Sequence, residues 1–580
     1  MSPHQRTRLF GNPALLPWFV IIMHVALVAP MLFPSLSRIG SWDESYYMIL
    51  GKQILAGQWP QYASGPLVSA FYALACLAVQ GADDWLVHSN WFGRVVFMVF
   101  LWIATLQVAR QLGSRTHPLV LVVLVALSPA LLVLLGNGSM ALFTGFSGLA
   151  LAQALAFERT GRVAHLWRAS LFVGLAALAR SEGPVLFVIL TIVTLPVCIR
   201  ERLVAKGLVA CLVPFLALNV GYVALRGFAT GDYSPGTRER AYFTFEQGHG
   251  MAFSRSAEDR QFYAEGEATA PLEFGTDQEN DYSVIKAIRR NPGAYFSRIP
   301  RLSQMAIKDA FSGYGTYFGL FCAAFAFRGL VELLRTRAFH FSAILVAWAG
   351  YAVLYLVLCY QPAHLLMPYL TMFALSAIGI TAFARNLGSV RERWYWTGSL
   401  LAVILAAVWF LEPISTLGRA SLVLLLAMWI VWIVDDWQLH GPHVEAIACL
   451  VLLALVMTLK TNPTLRTPLP KEDPERPAAA YMARHFKPGA QIAAWGMKTV
   501  WAARLEAVTM GPDQRTLKTS GDLAAWLEGN KIEGIYLDPE FRRYEPSIAA
   551  LILDLPGSGY EIGFDGGDTG IQVLVRSTID

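Results

Sequence analysis

Two adjacent carboxylates are the first residues in this sequence able to do chemistry. Asp43 and Glu44 stand in Ser41-Trp42-Asp43-Glu44-Ser45-Tyr46-Tyr47, just past the apolar run Leu15 to Phe33, which is long enough to cross a bilayer. A carboxylate at a membrane face can take a proton from a hydroxyl as that hydroxyl attacks. Asp43 and Glu44 are therefore the candidate catalytic residues, with Tyr46, Tyr47 and Lys52 as candidate substrate contacts beside them. A structural reading stands next to this one. Ser41 and Glu44 fit a capping box that opens an amphipathic helix, with Asp43 favoured at the helix N-terminus by the macrodipole. Both readings can hold at once.

Arg180-Ser181-Glu182-Gly183 interrupts an apolar stretch. Charge there is costly unless it is paired or useful. Arg180 offers a planar fork of donors suited to phosphate, and Glu182 could orient it or bind the acceptor; alternatively the two only neutralise each other at a helix break. His249, between Gly248 and Gly250, is expected in a tight turn that presents the ring to a substrate, against the plainer reading of loop polarity. His364, in the short turn Tyr360-Gln361-Pro362-Ala363-His364, is a further candidate phosphate contact. Arg298, Arg301 and Lys308 read as side chains reaching for lipid headgroups. No ligand spacing points to a metal site, although a divalent cation stays open as a cofactor, and the absence of a P-loop or a dinucleotide fingerprint gives no indication of ATP or NAD.

The elements that must position these groups are membrane helices. Of 580 residues 55% are hydrophobic and only 15% charged, and the mean hydropathy is +0.46; soluble domains carry about 25% charge. The net charge of +5 comes without a basic tract interleaved with aromatics, so nucleic acid is not an expected partner. The six cysteines show no paired spacing for a disulfide framework or zinc site. The pattern predicts a mainly α, polytopic bundle of about thirteen spans. They fall near 14–34, 92–109, 118–136, 140–157, 168–180, 184–199, 207–226, 311–334, 341–360, 364–384, 395–411, 419–435 and 443–460.

Arginine and lysine collect in alternate connections, on the side of the N-terminus, which the positive-inside rule makes cytoplasmic. The expectation is a multi-pass plasma (inner) membrane protein with a periplasmic or extracellular C-terminal domain. Residues 1–460 form the membrane module, with external segments near 35–91 and 227–310 that include juxtamembrane helices. Residues 461–580 open on a proline-rich linker. They then alternate strand-like runs (Gln491–Trp495, Ile532–Leu537, Ile571–Val575) with helical patterns (Ala478–His485, Asp522–Glu528, Pro546–Leu553), which reads as a small α/β domain.

The order of these pieces resembles the GT-C glycosyltransferases, in particular the bacterial relatives of protein O-mannosyltransferases and of the lipid A aminoarabinose transferase. Trp42-Asp43-Glu44-Ser45-Tyr46-Tyr47 is similar to the family's D-E-x-x-Y first-loop signature, Ala179-Arg180-Ser181-Glu182-Gly183 to its T-R-x-E-G break, and His364-Leu365-Leu366-Met367-Pro368-Tyr369 to its R-Y-L-L-P segment. The resemblance implies an inverting transfer of a sugar from a polyprenyl-phosphate donor to an acceptor hydroxyl on a lipid, glycan or protein, with Asp43 as base. Lys52, Arg180 and His364 would then steady the leaving phosphate. Two departures are visible: the second external loop, Gly136-Asn137-Gly138-Ser139, carries no acid, and His364 stands where the family has arginine. The rival classes are a transporter or flippase for lipid-linked sugars and a glycan ligase or polymerase. A transporter would place ionisable groups inside its spans, whereas here the carboxylates gather in external loops.

Overall fold

The computed structural model describes residues 17–18, 20–22, 24–25, 42–58, 65–79, 85–128, 130–135, 137–233, 238–253, 269–311, 319–351, 368–385, 475–495, 498–510, 514, 517–556 and 559–577. The spans expected near 395–411, 419–435 and 443–460 lie outside them. The chain divides into two compact units. One comprises Met1–Ala26, Gln61–Val68 and Val96–Thr467; the other comprises Leu27–Pro60, Ser69–Val95 and Pro468–Asp580.

Helices α1 (Trp42–Leu55) and α2 (Pro66–Ala78) come from the segment 35–91. Apolar helices follow: α3 (Trp85–Leu112), α4 (Pro118–Leu127), α5 (Ala130–Leu135), α6 (Gly138–Thr160), α7 (Val163–Ala179), α8 (Gly183–Arg200) and α9 (Val204–Thr230). The segment that follows supplies α10 (Arg238–Phe253), α11 (Val284–Arg290) and α12 (Pro292–Phe311), with a short helix at 269–274. The chain then gives α13 (Gly319–Arg335), α14 (Phe339–Gly350) and α15 (Tyr369–Arg385). Among the described residues, four helices are long and apolar enough to cross a membrane: His88–Leu112, Gly138–Thr160, Gly183–Arg200 and Val204–Thr230. This is a mainly helical, multi-pass membrane protein.

In the first unit, α6 is the central helix. Its most apolar stretch is 89% buried, against 22% for α9, whose Leu208, Leu212 and Leu216 are exposed at helical spacing as a lipid-facing stripe would be. Small residues let α6 take that place: a Cβ on Gly145 would run into the Phe100 ring at 2.2 Å, and one on Gly148 into Leu370 at 2.4 Å. Asn137 caps α6 at one end, and Gly161, at φ +64°, closes it at the other. The expected span 118–136 is two helices. Ser128 is extended (φ −85°, ψ 134°) because the following proline disfavours a helical residue before it. Helices α13 and α15 touch backbone to backbone: a Cβ on Gly379 would lie 1.9 Å from the Phe325 carbonyl oxygen, and one on Gly329 2.0 Å from that of Leu375.

In the second unit, α1 lies on α2 at Gly51, where a Cβ would meet the Ala73 nitrogen at 2.6 Å. The C-terminal region adds α16 (Arg476–His485), α17 (Lys498–Ala502), α18 (Ser520–Gly529), α19 (Pro539–Tyr544) and α20 (Pro546–Leu553) around five strands. These are β1 (Gln491–Ala494), β2 (Glu506–Thr509), β3 (Gly534–Leu537), β4 (Tyr560–Asp565) and β5 (Gln572–Arg576), in the order β2-β1-β3-β5-β4. β1, β2 and β3 run parallel; β5 and β4 join antiparallel. β1, β3 and β5 are buried along most of their length, and β3 and β5 carry apolar runs accordingly. Ala493, Ile535, Leu537 and Leu574 face a core with Leu523, Leu527 and Ile552, while Ile492, Ala494, Tyr536 and Val573 face one with Met482, Phe486 and Val500. Helix α17 packs beside α1 within this unit.

Candidate functional site

The acidic pair opens α1, in the second unit. The helix starts at Trp42, as the capping pattern predicts, so Asp43 and Glu44 sit in its first turn with Tyr46 one turn further on; for these three only the backbone is described. Tyr47 is buried at 6% exposure, next to the buried Met48 and Leu50. Lys52 is exposed in the last turn. Nine residues separate it from Asp43, which is about 13.5 Å of rise and half a turn of rotation. The two residues therefore stand near opposite ends of the helix.

Arg180 and Glu182 belong to the first unit. Helix α7 ends at Ala179, Arg180 turns extended (φ −150°, ψ 147°), and α8 starts at Gly183, whose N–H donates to the Arg180 carbonyl at 3.1 Å. The two side chains pair. Arg180 donates through Nε at 3.2 Å and Nη2 at 2.8 Å to the Glu182 carboxylate, with side-chain exposures of only 19% and 11%. Arg180 Nη1 also donates to Ser139 Oγ at 3.1 Å, and Ser139 Oγ donates to Asn137 Oδ1 at 2.7 Å. Thus the loop noted above for its missing acid supplies a hydroxyl to the arginine. The signal in the sequence was the Asn137-Gly138-Ser139 cap pattern, which marks a helix N-terminus at the end of the bundle where Arg180 emerges. Gly65, at φ +70°, approaches the same place: a Cβ there would stand 2.2 Å from the Ala179 carbonyl oxygen. The Arg180–Glu182 pair and the N-terminal ends of α6 and α8 meet here, and helix N-termini are a setting in which anions bind.

His249 is not in a tight turn; it lies within α10. Gly248 and Gly250 are buried inside that helix and make no turn. The imidazole is 5% exposed. Its ring lies 4.8 Å from that of Phe253 and 5.2 Å, edge to face, from that of Phe274. Burial, with a smaller contribution from the Arg298 charge, lowers its pKa to about 4, so the ring is neutral at pH 7. Arg298 does not reach for headgroups. It is fully buried, its guanidinium 4.4 Å from the centre of the Phe245 ring and 4.5 Å from that of Tyr295, and it donates to the Phe245 carbonyl at 3.0 Å. Sequence reading missed this clamp between α10 and α12 because the Phe245 ring and carbonyl, 53 residues away, join the neighbouring Tyr295 ring in solvating the charge. His364 lies outside the described residues. Among the described residues no three His, Cys, Asp or Glu side chains cluster to hold a metal ion.

The sequence matches no protein-family model and no curated protein. Solved structures do match its fold. ArnT from Cupriavidus metallidurans, bound to undecaprenyl phosphate, superposes with a TM-score of 0.52 at 14% identity over 96% of this chain and 98% of that one. The apo oligosaccharyltransferase of Archaeoglobus fulgidus gives 0.53 at 13% identity over 98% of this chain and 75% of that one. The same archaeal enzyme, AglB, in complex with an inhibitory peptide and a dolichol-phosphate gives 0.50 at 12% identity over 98% and 74%. The chain has the GT-C fold. In that fold the acidic pair follows the first apolar run, and the Arg180 break falls between two bundle helices.

Proposed function

We propose that this protein is an integral-membrane glycosyltransferase that moves a sugar from a polyprenyl-phosphate donor to an acceptor hydroxyl on the external face of the membrane. The observation that carries the reading is the fold likeness along nearly the whole chain to proteins whose structures hold undecaprenyl phosphate and dolichol-phosphate. In the reaction, the Asp43 carboxylate accepts the proton of the acceptor hydroxyl as its oxygen attacks the anomeric carbon. The bond from that carbon to the phosphate oxygen breaks, polyprenyl phosphate leaves with the electron pair, and a single displacement inverts the centre. Arg180, held by Glu182 and Ser139 beside two helix N-termini, stabilises the departing phosphate. Glu44 is assigned a catalytic role beside Asp43, Lys52 and His364 are assigned to the same anion, and Tyr46, Tyr47, Glu182 and His249 to substrate binding. The topology that goes with it has about thirteen spans, a cytoplasmic N-terminus and an external C-terminal domain.

The experiment compares envelope glycolipids and glycans by mass spectrometry in cells carrying the wild-type protein, Asp43→Asn, or none. Asp43→Asn should stay membrane-inserted and lose transfer by about 100-fold or more, the loss expected for a general base. A normal glycan profile from that variant would remove Asp43 from the mechanism.

A further inference from the structure

Helices α7 and α9 run parallel. A Cβ on Gly207 would meet Leu166 at 3.7 Å, Ser170 donates to the Cys211 carbonyl, and a Cβ on Gly174 would stand 3.5 Å from the Phe215 Cα, the same offset of 41 residues each time. The first turns of the two helices therefore stand side by side. A cavity of about 410 Å³ opens there, lined by Val163, Trp167, Ala205, Lys206 and Val209. From Val163 to Ala179 helix α7 rises about 24 Å, so this groove lies at the other end of α7 from Arg180 and the departing phosphate assigned to it.

Position says that the occupant is a lipid. Val209 is exposed alongside the Leu208, Leu212 and Leu216 stripe of α9, and Trp167 is exposed in the opening turns of α7, where an indole suits the boundary between acyl chains and headgroups. Charge says which lipid. Lys206 is the charged wall residue, and no carboxylate lines the groove. Arg162, directly before Val163, and Arg202, in the connection leading into α9, are also exposed. Among the described residues Arg162, Arg202 and Lys206 have no ion-pair partner. Arg159 and Arg200 are engaged, by Gln111 at 3.0 Å and by Glu201 at 2.9 Å, and the second contact also occupies the Glu201 carboxylate. No side chain caps the N-terminus of α7 or α9, so their first amides add to the positive field. A choline headgroup would bring a further cation to this field, whereas a headgroup of net negative charge matches it.

We propose that the groove between α7 and α9 binds a phospholipid of net negative charge, its headgroup against Lys206, Arg162 and Arg202 and an acyl chain along Trp167 and Val209. The site stands whether or not the glycosyltransferase reading does. The test is native mass spectrometry of the delipidated full-length protein in detergent, given equal amounts of phosphatidylglycerol and phosphatidylcholine with the same acyl chains and read on the first lipid bound. Each cation near an anionic headgroup contributes about fivefold, so wild type should favour phosphatidylglycerol by about tenfold or more. The double variant Arg162→Gln, Lys206→Gln should bring the preference to about twofold or less. Arg110→Gln, which removes an exposed cation from the last turn of α3, should leave it unchanged. Val209→Trp fills the groove from an exposed position with the cations kept, and should lower phosphatidylglycerol retention about tenfold; Ala205→Trp, also exposed, repeats that test should Val209→Trp melt below wild type. Equal retention of the two lipids, a preference that survives the double variant or an equal loss in Arg110→Gln would each overturn the proposal. So would retention that survives filling of the groove, or a dimer in wild type that Val209→Trp abolishes, which would make a second copy of the chain the occupant.

Discussion

At the scale of single residues, Arg180 is both structural and a candidate for catalysis, and the two roles can be separated. Arg180→Ala strands the mostly buried Glu182 carboxylate, and leaving one partner of a buried pair costs about 3–5 kcal/mol, less here because both groups keep some exposure. Removing Glu182 as well should restore most of that stability. Transfer should fall about 100-fold in both the single and the double variant if the guanidinium serves the leaving phosphate. A double variant with wild-type turnover would reduce Arg180 to a helix-break ion pair. His249 gives a pH signature. Its folded-state pKa lies near 4, below the ordinary 6.5, so between those values the unfolded state binds the proton that the folded state refuses. Stability contributed by the neutral ring is complete above about pH 6.5 and is lost as pH falls toward 4, by at most about 3 kcal/mol. Hydrogen-exchange protection factors in α10, corrected for the intrinsic rate at each pH, should fall over that window in the wild type and not in His249→Phe; an identical acid response in the two would show that another group is responsible.

At the scale of elements, the sequence was most legible where one physical rule dominates. The strand and helix runs anticipated at Ile532–Leu537 and Pro546–Leu553 correspond to β3 and α20, because burial on both sheet faces leaves an uninterrupted apolar signature. The break at Arg180-Ser181-Glu182-Gly183 was readable from charge inside an apolar stretch. Strands β2 and β4 were not: Glu506–Thr509 is half polar, and Tyr560–Asp565 buries little beyond Tyr560. The Ser139–Arg180 bond was illegible because it joins residues 41 apart through a geometry that no periodicity encodes. Helix packing was illegible for the same reason, yet it sets a clear expectation. Gly379→Ala places a methyl 1.9 Å from the Phe325 carbonyl oxygen, so α13 and α15 must separate at a cost of about 1–3 kcal/mol or more. Detergent-solubilised Gly379→Ala should melt several degrees below wild type, while Ile192→Ala, on an exposed face of α8, should not. Equal melting would mean that the two helices are not locked at this contact.

At the scale of the whole molecule, the first external segment and the C-terminal region share one compact unit although some 370 residues separate them. With α17 packed beside α1, the acid-bearing helix and the C-terminal domain must stand on the same side of the membrane. The catalytic reading needs that side to be external, and the charge pattern supplies the reason: connections rich in arginine and lysine stay with the cytosol. Single-cysteine labelling checks this once Cys359 and Cys449, which lie outside the described residues, are replaced by serine; Cys76, Cys198, Cys211 and Cys322 are buried. Lys52 in α1, Lys487 in the C-terminal domain and Lys206 beside the basic α8–α9 connection are exposed. In right-side-out vesicles a membrane-impermeant maleimide should react with Lys52→Cys and Lys487→Cys at once, and with Lys206→Cys only after permeabilisation. Because α1 and α17 are in contact, the first two sites must report the same side whichever side that is. A reversed pattern would put the acidic pair in the cytosol and end the reading of Asp43 as a base for external transfer, while a split between Lys52 and Lys487 would contradict the α1–α17 packing itself.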